Sequence, residues 1–462
     1  MEHFDIIVIG TGPAGEGAAM MATKNRKRVA VIERHAEVGG GCTHWGTIPS
    51  KALRNACKTL SDARHDPLLK SMRTHLHMEF PQLLNSAKGV IESQVASRRR
   101  FYDRNQVPVY GGSAWFVDEH TVEVRTHTGS PQRITGDQIV IAAGSRPFHP
   151  PELDFNHPRV HDSDSVLRYT ASPFAVTIFG AGVIGCEYAS IFASLGCKVT
   201  LVNTQDRLLS FLDDEIAEAL SYHLHEQGCV IRHNEQFAGL ELRDNDVVLQ
   251  LQSGRRVKSD LLLWANGRSG NSDGMNIDAL GLATRSRGQL IVNEHYQTNL
   301  PHVYGVGDIA GPPGLASAGY VQGCRAVLHI LDPKQPPLRL DLVPSGIYTL
   351  PEISSVGLTE RDLLARKIPY EVGHTNFKNL ARAQMTDEKI GMLKLLFHTE
   401  TLQVLGVHCF GAGAAEIVHI GQTVMASTDL NNIRYFTNAT FNYPTMAEAY
   451  RVAAYNGLNR LT

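Results

Sequence analysis

Two glycine-rich segments carry the first chemistry. Gly10-Thr11-Gly12-Pro13-Ala14-Gly15 and Gly180-Ala181-Gly182-Val183-Ile184-Gly185 share the spacing G-x-G-x-x-G. Such a loop works through its backbone: the first glycine permits a tight turn, the second lets the chain approach a pyrophosphate, and the third lets helix and strand pack closely. N–H groups at the start of the helix then face the phosphates. Eighteen residues beyond Gly15 stands Glu33, at the reach of a carboxylate that accepts hydrogen bonds from an adenosine ribose. The same interval beyond Gly185 ends on Asn203, which places no negative charge against a 2′-phosphate. A third feature is the apolar run from Tyr304 that ends in Gly307-Asp308, a carboxylate at the end of a strand where α/β folds bind ligands.

Each loop needs a strand before it and a helix after it. Phe4 to Ile9 is an apolar, β-branched run; a helix is predicted over Glu16 to Thr23 and a second strand over Arg28 to Ile32. The pattern repeats with a strand over Ala175 to Phe179, a helix from about Glu187 to Leu195 and a strand over Lys198 to Val202. Two dinucleotide sites on one chain imply two nucleotides. The expected fold class is α/β, with two Rossmann-like dinucleotide-binding domains.

A chain of 462 residues is long enough for about three domains. Forty-four basic against 46 acidic residues give a net charge of −2, so no basic field exists to hold nucleic acid or an anionic membrane. The start, Met1-Glu2-His3-Phe4-Asp5, lacks a basic n-region, and no apolar run approaches the length of a spanning helix. Seven cysteines, odd in number and without C-x-x-C spacing, fit a reducing compartment, and a cytoplasmic protein is expected. Cys186 and Cys197 are expected to flank the second fingerprint's helix and pack as small apolar residues. Arg98-Arg99-Arg100 reads as a solvated helix face, and His75 and His77, two apart, as no metal site.

Further segments resemble one family over nearly the whole chain. Gly39-Gly40-Gly41-Cys42-Thr43-His44-Trp45-Gly46-Thr47-Ile48-Pro49-Ser50-Lys51 is similar to the redox-cysteine segment of the pyridine nucleotide-disulfide oxidoreductases, the flavoenzymes related to glutathione reductase and dihydrolipoamide dehydrogenase. Ile141 to Pro147 resembles their crossover out of the flavin domain, Ala265 to Arg268 the return, Thr298 to Asp308 the second flavin motif, and Gly346 to Glu352 the opening of a dimerisation domain. The resemblance implies FAD held by Gly10, Gly12, Gly15, Glu33, Gly41, Cys42, Thr47, Lys51, Gly144 and Asp308. It implies NAD(H) or NADP(H) held by Gly180, Gly182, Gly185, Glu187, Asn203, Thr204, Arg207 and Gly267. It divides the chain into 1–149 and 267–340 for FAD, 150–266 for NAD(P), and 341–462 as an α+β dimerisation domain, so a homo-oligomer of at least two chains is expected.

The chain departs from the family's thiol chemistry twice. The second redox cysteine is replaced by Thr47, which forms neither disulfide nor thiolate. The acid–base histidine of the carboxyl-terminal motif is replaced in Tyr443-Pro444-Thr445-Met446-Ala447-Glu448 by a phenol, whose ordinary pKa of about 10 makes a poor base at neutral pH. What remains is similar to the branch that passes hydride between NADPH and NAD+ through FAD. There the resemblance places Lys51 near the flavin and pairs it with Glu187, the two expected catalytic residues. With one fingerprint left for nicotinamide, the nucleotides must take turns in a ping-pong sequence. Thr204 and Ser210 stand where NADP-selective relatives carry arginines; Arg207 is either a 2′-phosphate contact or a surface partner of Asp206 or Asp213. The alternative reading is a peroxidase, oxidase or quinone reductase of the same family that uses Cys42 or reduced flavin.

Overall fold

A computed structural model describes residues 1–66, 68–69, 71, 76–126 and 129–461. His75 lies outside the described residues. The apolar run at the amino end forms strand Glu2–Ile9, paired in parallel with Val29–Glu33 on one side and Gln132–Ile141 on the other. Ile6 to Ile9 and Val29 to Glu33 are all buried, the pattern of a parallel sheet covered on both faces. Gln132–Ile141 serves two partners along its outer edge: residues 132–135 pair antiparallel with Thr121–Arg125, and Ile139–Ile141 pair in parallel with Val303–Gly305. A strand from far later in the chain therefore completes the first sheet.

The second sheet is parallel throughout, in the order Val230–Arg232, Lys198–Val202, Ala175–Phe179, Leu261–Trp264, Val160–Asp162. Phe179 stacks on Trp264 with ring centroids 4.5 Å apart, inside a core that Leu249 and Leu251 of a small antiparallel sheet complete. Ser145–Pro147 leaves the first sheet and Arg268–Gly270 returns to it, the two strands pairing antiparallel. The carboxyl-terminal part is an antiparallel sheet, Ser345–Ile347, Ile353–Gly357, Val404–Gly411, Gly391–His398, Tyr370–Asn376, with helices Ala414–Ala426 and Glu448–Leu458 packed over Phe397, Phe436 and Tyr450.

Several local expectations change. Both fingerprint helices begin sooner than their polar or acidic residues suggest, at Pro13 and Val183, because Gly12 and Gly182 already serve as N-caps and Pro13 is preset for the first helical turn. Cys186 therefore lies inside helix Val183–Ser194 rather than flanking it. The apolar run read from Tyr304 is strand only as far as Gly305, in Val303–Gly305, and Asp308 sits in the short 3-10 turn Gly307–Ala310. Arg98, in helix Phe80–Arg104, is not solvated: its Nε lies 3.2 Å from Glu16 Oε2 and its side chain is 15% exposed. Arg99 and Arg100 do face solvent.

Candidate functional site

The two fingerprints are built alike. Gly10 has φ +108° and Gly180 φ +109°, and a Cβ would lie 2.4 Å from Ala142 O in the first and 2.6 Å from Ala265 O in the second. At Gly15 and Gly185 a Cβ would come within 1.9 and 1.8 Å of the carbonyl oxygens of Gly10 and Gly180. Glycine is the side-chain type that fits at all four. By contrast nothing stands within 4 Å of a Cβ at Gly12 or Gly182, so this face of each turn is open to a ligand.

Beside the first turn runs a cavity of about 830 Å³, in the range of ligand pockets. Its lining includes Gly10, Gly12 and Glu33, Gly41, Cys42, Thr47 and Lys51, and Gly144 and Asp308. Gly15 packs beneath the turn instead of lining it. Glu33 is held by the turn itself: Oε2 accepts the Thr11 N–H at 3.0 Å and the Thr11 hydroxyl, and Oε1 accepts the His35 N–H at 2.9 Å. The Ser145 hydroxyl donates to Asp308 Oδ2 at 2.7 Å, and Arg268 Nε donates to that hydroxyl at 2.8 Å. An open-faced glycine turn, an anchored carboxylate beside it and a second carboxylate in the same cavity fit FAD.

Lys51 and Glu187 meet in this cavity. Lys51, on helix Thr47–His65, puts Nζ 2.7 Å from Glu187 Oε2, on the second fingerprint's helix. Glu187 Oε1 accepts the Tyr348 N–H at 2.8 Å, and Lys51 Nζ lies 5.1 Å from the centre of the Tyr348 ring. The pair thus joins helix Thr47–His65, the second fingerprint's helix and the carboxyl-terminal part at one point. Cys42 is the one cysteine among the described lining residues. Burial pushes its thiol up more than Thr47 beside it and the nearby Arg98 pull it down, so it stays protonated at neutral pH.

The second nucleotide's residues are less gathered. Of them only Glu187 lines the cavity, with Val183, Ile184 and Tyr188 of the same helix; Gly180, Gly182, Gly185, Asn203, Thr204, Arg207 and Gly267 lie outside it. Asn203 is buried, its Nδ2 donating to the Arg207 carbonyl at 2.7 Å and lying 3.1 Å from His233 Nδ1. Arg207 is paired with Asp206 at 3.1 Å and with Asp214 at 2.8 Å; Asp213 is instead bound to Lys394. Gly267, at φ +100°, belongs to the crossover, where its carbonyl accepts the Phe148 N–H at 3.0 Å. Tyr443 is exposed, and Glu448 pairs with Arg451 at 2.5 Å; neither lines the cavity. Sequence reasoning missed Thr11, Ser145, Arg268 and Tyr348. Thr11 occupies a variable position of the loop pattern, and the other three act through contacts between distant segments.

The family described as pyridine nucleotide-disulphide oxidoreductase matches residues 4–323, and that family's dimerisation domain matches residues 343–454. The chain is 54% identical over 460 residues to the soluble pyridine nucleotide transhydrogenase of Vibrio cholerae, covering 99% of both chains. It is 55% identical over 460 residues to that of Aliivibrio fischeri, covering 99% of this chain and 98% of the relative. Among solved structures it is similar to the copper(II) complex of the HOCl-induced flavoprotein disulfide reductase RclA from Escherichia coli, with a TM-score of 0.87, 25% identity and coverage of 98% and 99%. LpdA from Mycobacterium tuberculosis shares the fold, with a TM-score of 0.90 at 24% identity over the whole of both chains. With both matches in the order of the sheets, the chain belongs to the pyridine nucleotide-disulphide oxidoreductase family.

Proposed function

We propose that the protein is an FAD-dependent transhydrogenase that moves hydride between NADPH and NAD+, NADPH + NAD+ giving NADP+ + NADH. The observation that carries this reading is the Lys51–Glu187 pair at 2.7 Å in a cavity whose described lining holds one thiol, Cys42, with Thr47 beside it. A dithiol relay has no second sulfur there. The relatives named soluble pyridine nucleotide transhydrogenase support it.

When bound, FAD supplies a two-electron carrier that accepts hydride from one nicotinamide nucleotide and gives it to the next. Glu33, Asp308 and the Gly10–Gly15 turn hold this cofactor, and Gly180, Gly182 and Gly185 receive the pyrophosphate of the nucleotide. Lys51 keeps a positive charge at the meeting point, and Glu187, fixed by the Tyr348 N–H, aims it. Asn203, Thr204 and Arg207 face the adenosine end and serve NAD(H) and NADP(H) alike. One nucleotide site means the two must alternate, so the kinetics are ping-pong. One site also orients both nicotinamides alike, so the same C4 hydrogen moves on each, and we propose that the transfer is of the Si-specific type. The segments 1–149 with 267–340, 150–266 and 341–462 act as FAD, nucleotide and dimerisation domains, and the working form is a homo-oligomer of at least two chains. The seven free cysteines are in keeping with a cytoplasmic protein; among the described residues no helix is long and apolar enough to cross a membrane.

Anaerobic mixing tests this. NADPH should bleach the flavin absorbance and a later addition of NAD+ should restore it, and the C4 face from which stereospecifically labelled NADPH loses deuterium should be the face on which NAD+ gains it when the second step is run in D2O. Bleaching that NAD+ cannot reverse, but peroxide or a quinone can, would favour the alternative chemistry.

A further inference from the structure

The loop after strand Lys198–Val202 folds back over Asn203 in a way that repeats the first fingerprint. Asn203 Oδ1 accepts the Gln205 N–H at 3.2 Å, just as Glu33 Oε1 accepts the His35 N–H two residues on at 2.9 Å. Gly180 N–H donates to Val202 O at 2.9 Å where Gly10 N–H donates to Ile32 O at 2.8 Å. Asn203 therefore holds the place of Glu33, and its bond to the Arg207 carbonyl brings Arg207 to the ribose end of the second site.

The Arg207 guanidinium is already engaged there. Its Nε and Nη2 reach the two oxygens of Asp206 at 3.2 and 3.1 Å, and Nη1 donates to Asp214 Oδ1 at 2.8 Å. Asp214 is in turn 3.3 Å from Arg361 Nε, on helix Glu360–Arg366 of the carboxyl-terminal part, and Arg361 Nη2 donates to the carbonyls of Ser210 and Leu212 at 2.6 and 2.7 Å. One carboxylate of the clamp rides on the loop; the other is fixed from outside the nucleotide-binding segment.

We propose that Asp206 and Asp214 are specificity-determining residues: by clamping Arg207 they keep the nucleotide site nearly indifferent to the 2′-phosphate. This rests on the reading that one site serves both nucleotides. NAD(H) asks nothing of Arg207 and leaves the clamp closed. The 2′-phosphate of NADP(H) must share the guanidinium with two carboxylates that also repel it, so the gain from a charge-assisted bond is offset. A bare arginine at this point selects NADP(H), and an acid at 203 selects NAD(H); a clamped arginine beside a neutral amide stands between them.

The test is Asp206→Asn, which removes the two-oxygen partner and leaves the Asp214–Arg361 contact in place. The apparent affinity for each nucleotide is read separately, from anaerobic stopped-flow bleaching of the flavin by NADPH and by NADH against nucleotide concentration. Preference for NADPH should rise about three- to fivefold, the range of an exposed ion pair, with NADH unchanged and the difference shrinking in high salt. In an Arg207→Gln background the same substitution should shift the preference less, by the relief of Asp206's own repulsion alone, and Asp214→Asn should act in the same direction as Asp206→Asn. An unchanged preference in folded Asp206→Asn protein, or an equal shift without Arg207, overturns the proposal. If the unsubstituted enzyme is bleached by one nucleotide alone, the one-site reading itself falls, which is seen before any variant is made.

Discussion

A thiol beside a flavin exchanges with disulfides or peroxides as a thiolate, and Cys42 is held as a thiol by burial. Cys42→Ser should therefore keep hydride exchange between NADPH and an NAD analogue within about tenfold of the parent, and one two-electron equivalent of dithionite should bleach the flavin directly. A loss beyond about a hundredfold in flavin-loaded protein, roughly 2.7 kcal/mol of barrier, would return the thiol to the mechanism. The same scale governs nucleotide choice. Asn203 stands at the place of Glu33, so Asn203→Glu would set a carboxylate near the 2′-phosphate. Flavin reduction by NADPH should weaken by about 1–3 kcal/mol, for charges about 4–6 Å apart in a partly screened site, while NADH holds or improves. Equal losses with both would remove position 203 from the ribose.

Each fingerprint is a strand, a turn and a helix whose closeness depends on one missing side chain. A Cβ at Gly15 or Gly185 collides with the backbone oxygen of the opening glycine, and backbone cannot step aside as a side-chain tip can. The two substitutions are equal in steric terms and should differ in consequence. Gly15→Ala should yield protein depleted of flavin. Gly185→Ala should retain flavin, with its yellow absorbance, and lose reduction by both nucleotides about fivefold or more, since overpacking of about 1–3 kcal/mol falls on the second turn alone. Flavin loss in Gly185→Ala would contradict the assignment of the two turns to separate nucleotides.

Across the whole molecule, the nucleotide-binding part and the carboxyl-terminal part are locked by Lys394, which is 1% exposed on strand Gly391–His398. Its Nζ reaches Asp213 at 2.8 Å, Glu215 at 3.0 Å and, closer still, Glu360. Burial pushes the Lys394 ammonium down, but the surrounding carboxylates outweigh it and raise its pKa. Burial likewise pushes the Asp213 carboxyl up, yet His408 and Lys394 beside it hold it below the usual carboxylate range. A raised lysine contributes stability below its ordinary value and loses it as pH rises through the folded value. A depressed aspartate contributes above its ordinary value and loses it as pH falls through the folded one. Lys394→Met leaves the buried Asp213 carboxylate without its cation and should cost about 3–5 kcal/mol. Measured by denaturant unfolding, that difference should stay level between about pH 5 and 10, where both partners are charged, and narrow toward the pH at which Asp213 protonates. A gap that does not change on acidification would mean that the lysine acts by packing rather than by charge.

Both glycine turns, with the strands and helices around them, were legible in the sequence because a turn of this kind is a local device: its spacing is set by backbone sterics within one βαβ unit. Lys51 and Glu187 were legible as a pair, but only through a resemblance. Their contact at 2.7 Å depends on packing helix Thr47–His65 against helix Val183–Ser194, which no local rule specifies. Ser145 and Arg268 meet because two short crossover strands pair out of order, and Asp308 arrives with a strand borrowed from beyond the whole second sheet. Arg207 shows the limit most plainly. As a residue type it offered a phosphate contact or a surface pair with Asp206 or Asp213; Asp206 is a partner, but the second is Asp214 rather than Asp213 beside it. The choice was made by the start of helix Asp214–Glu226, where Asp213 turns inward as N-cap to meet Lys394 and Asp214 turns outward between Arg207 and Arg361. Local chemistry is written in order along the chain, whereas partnership between charges depends on which segments the sheets bring within a few ångströms.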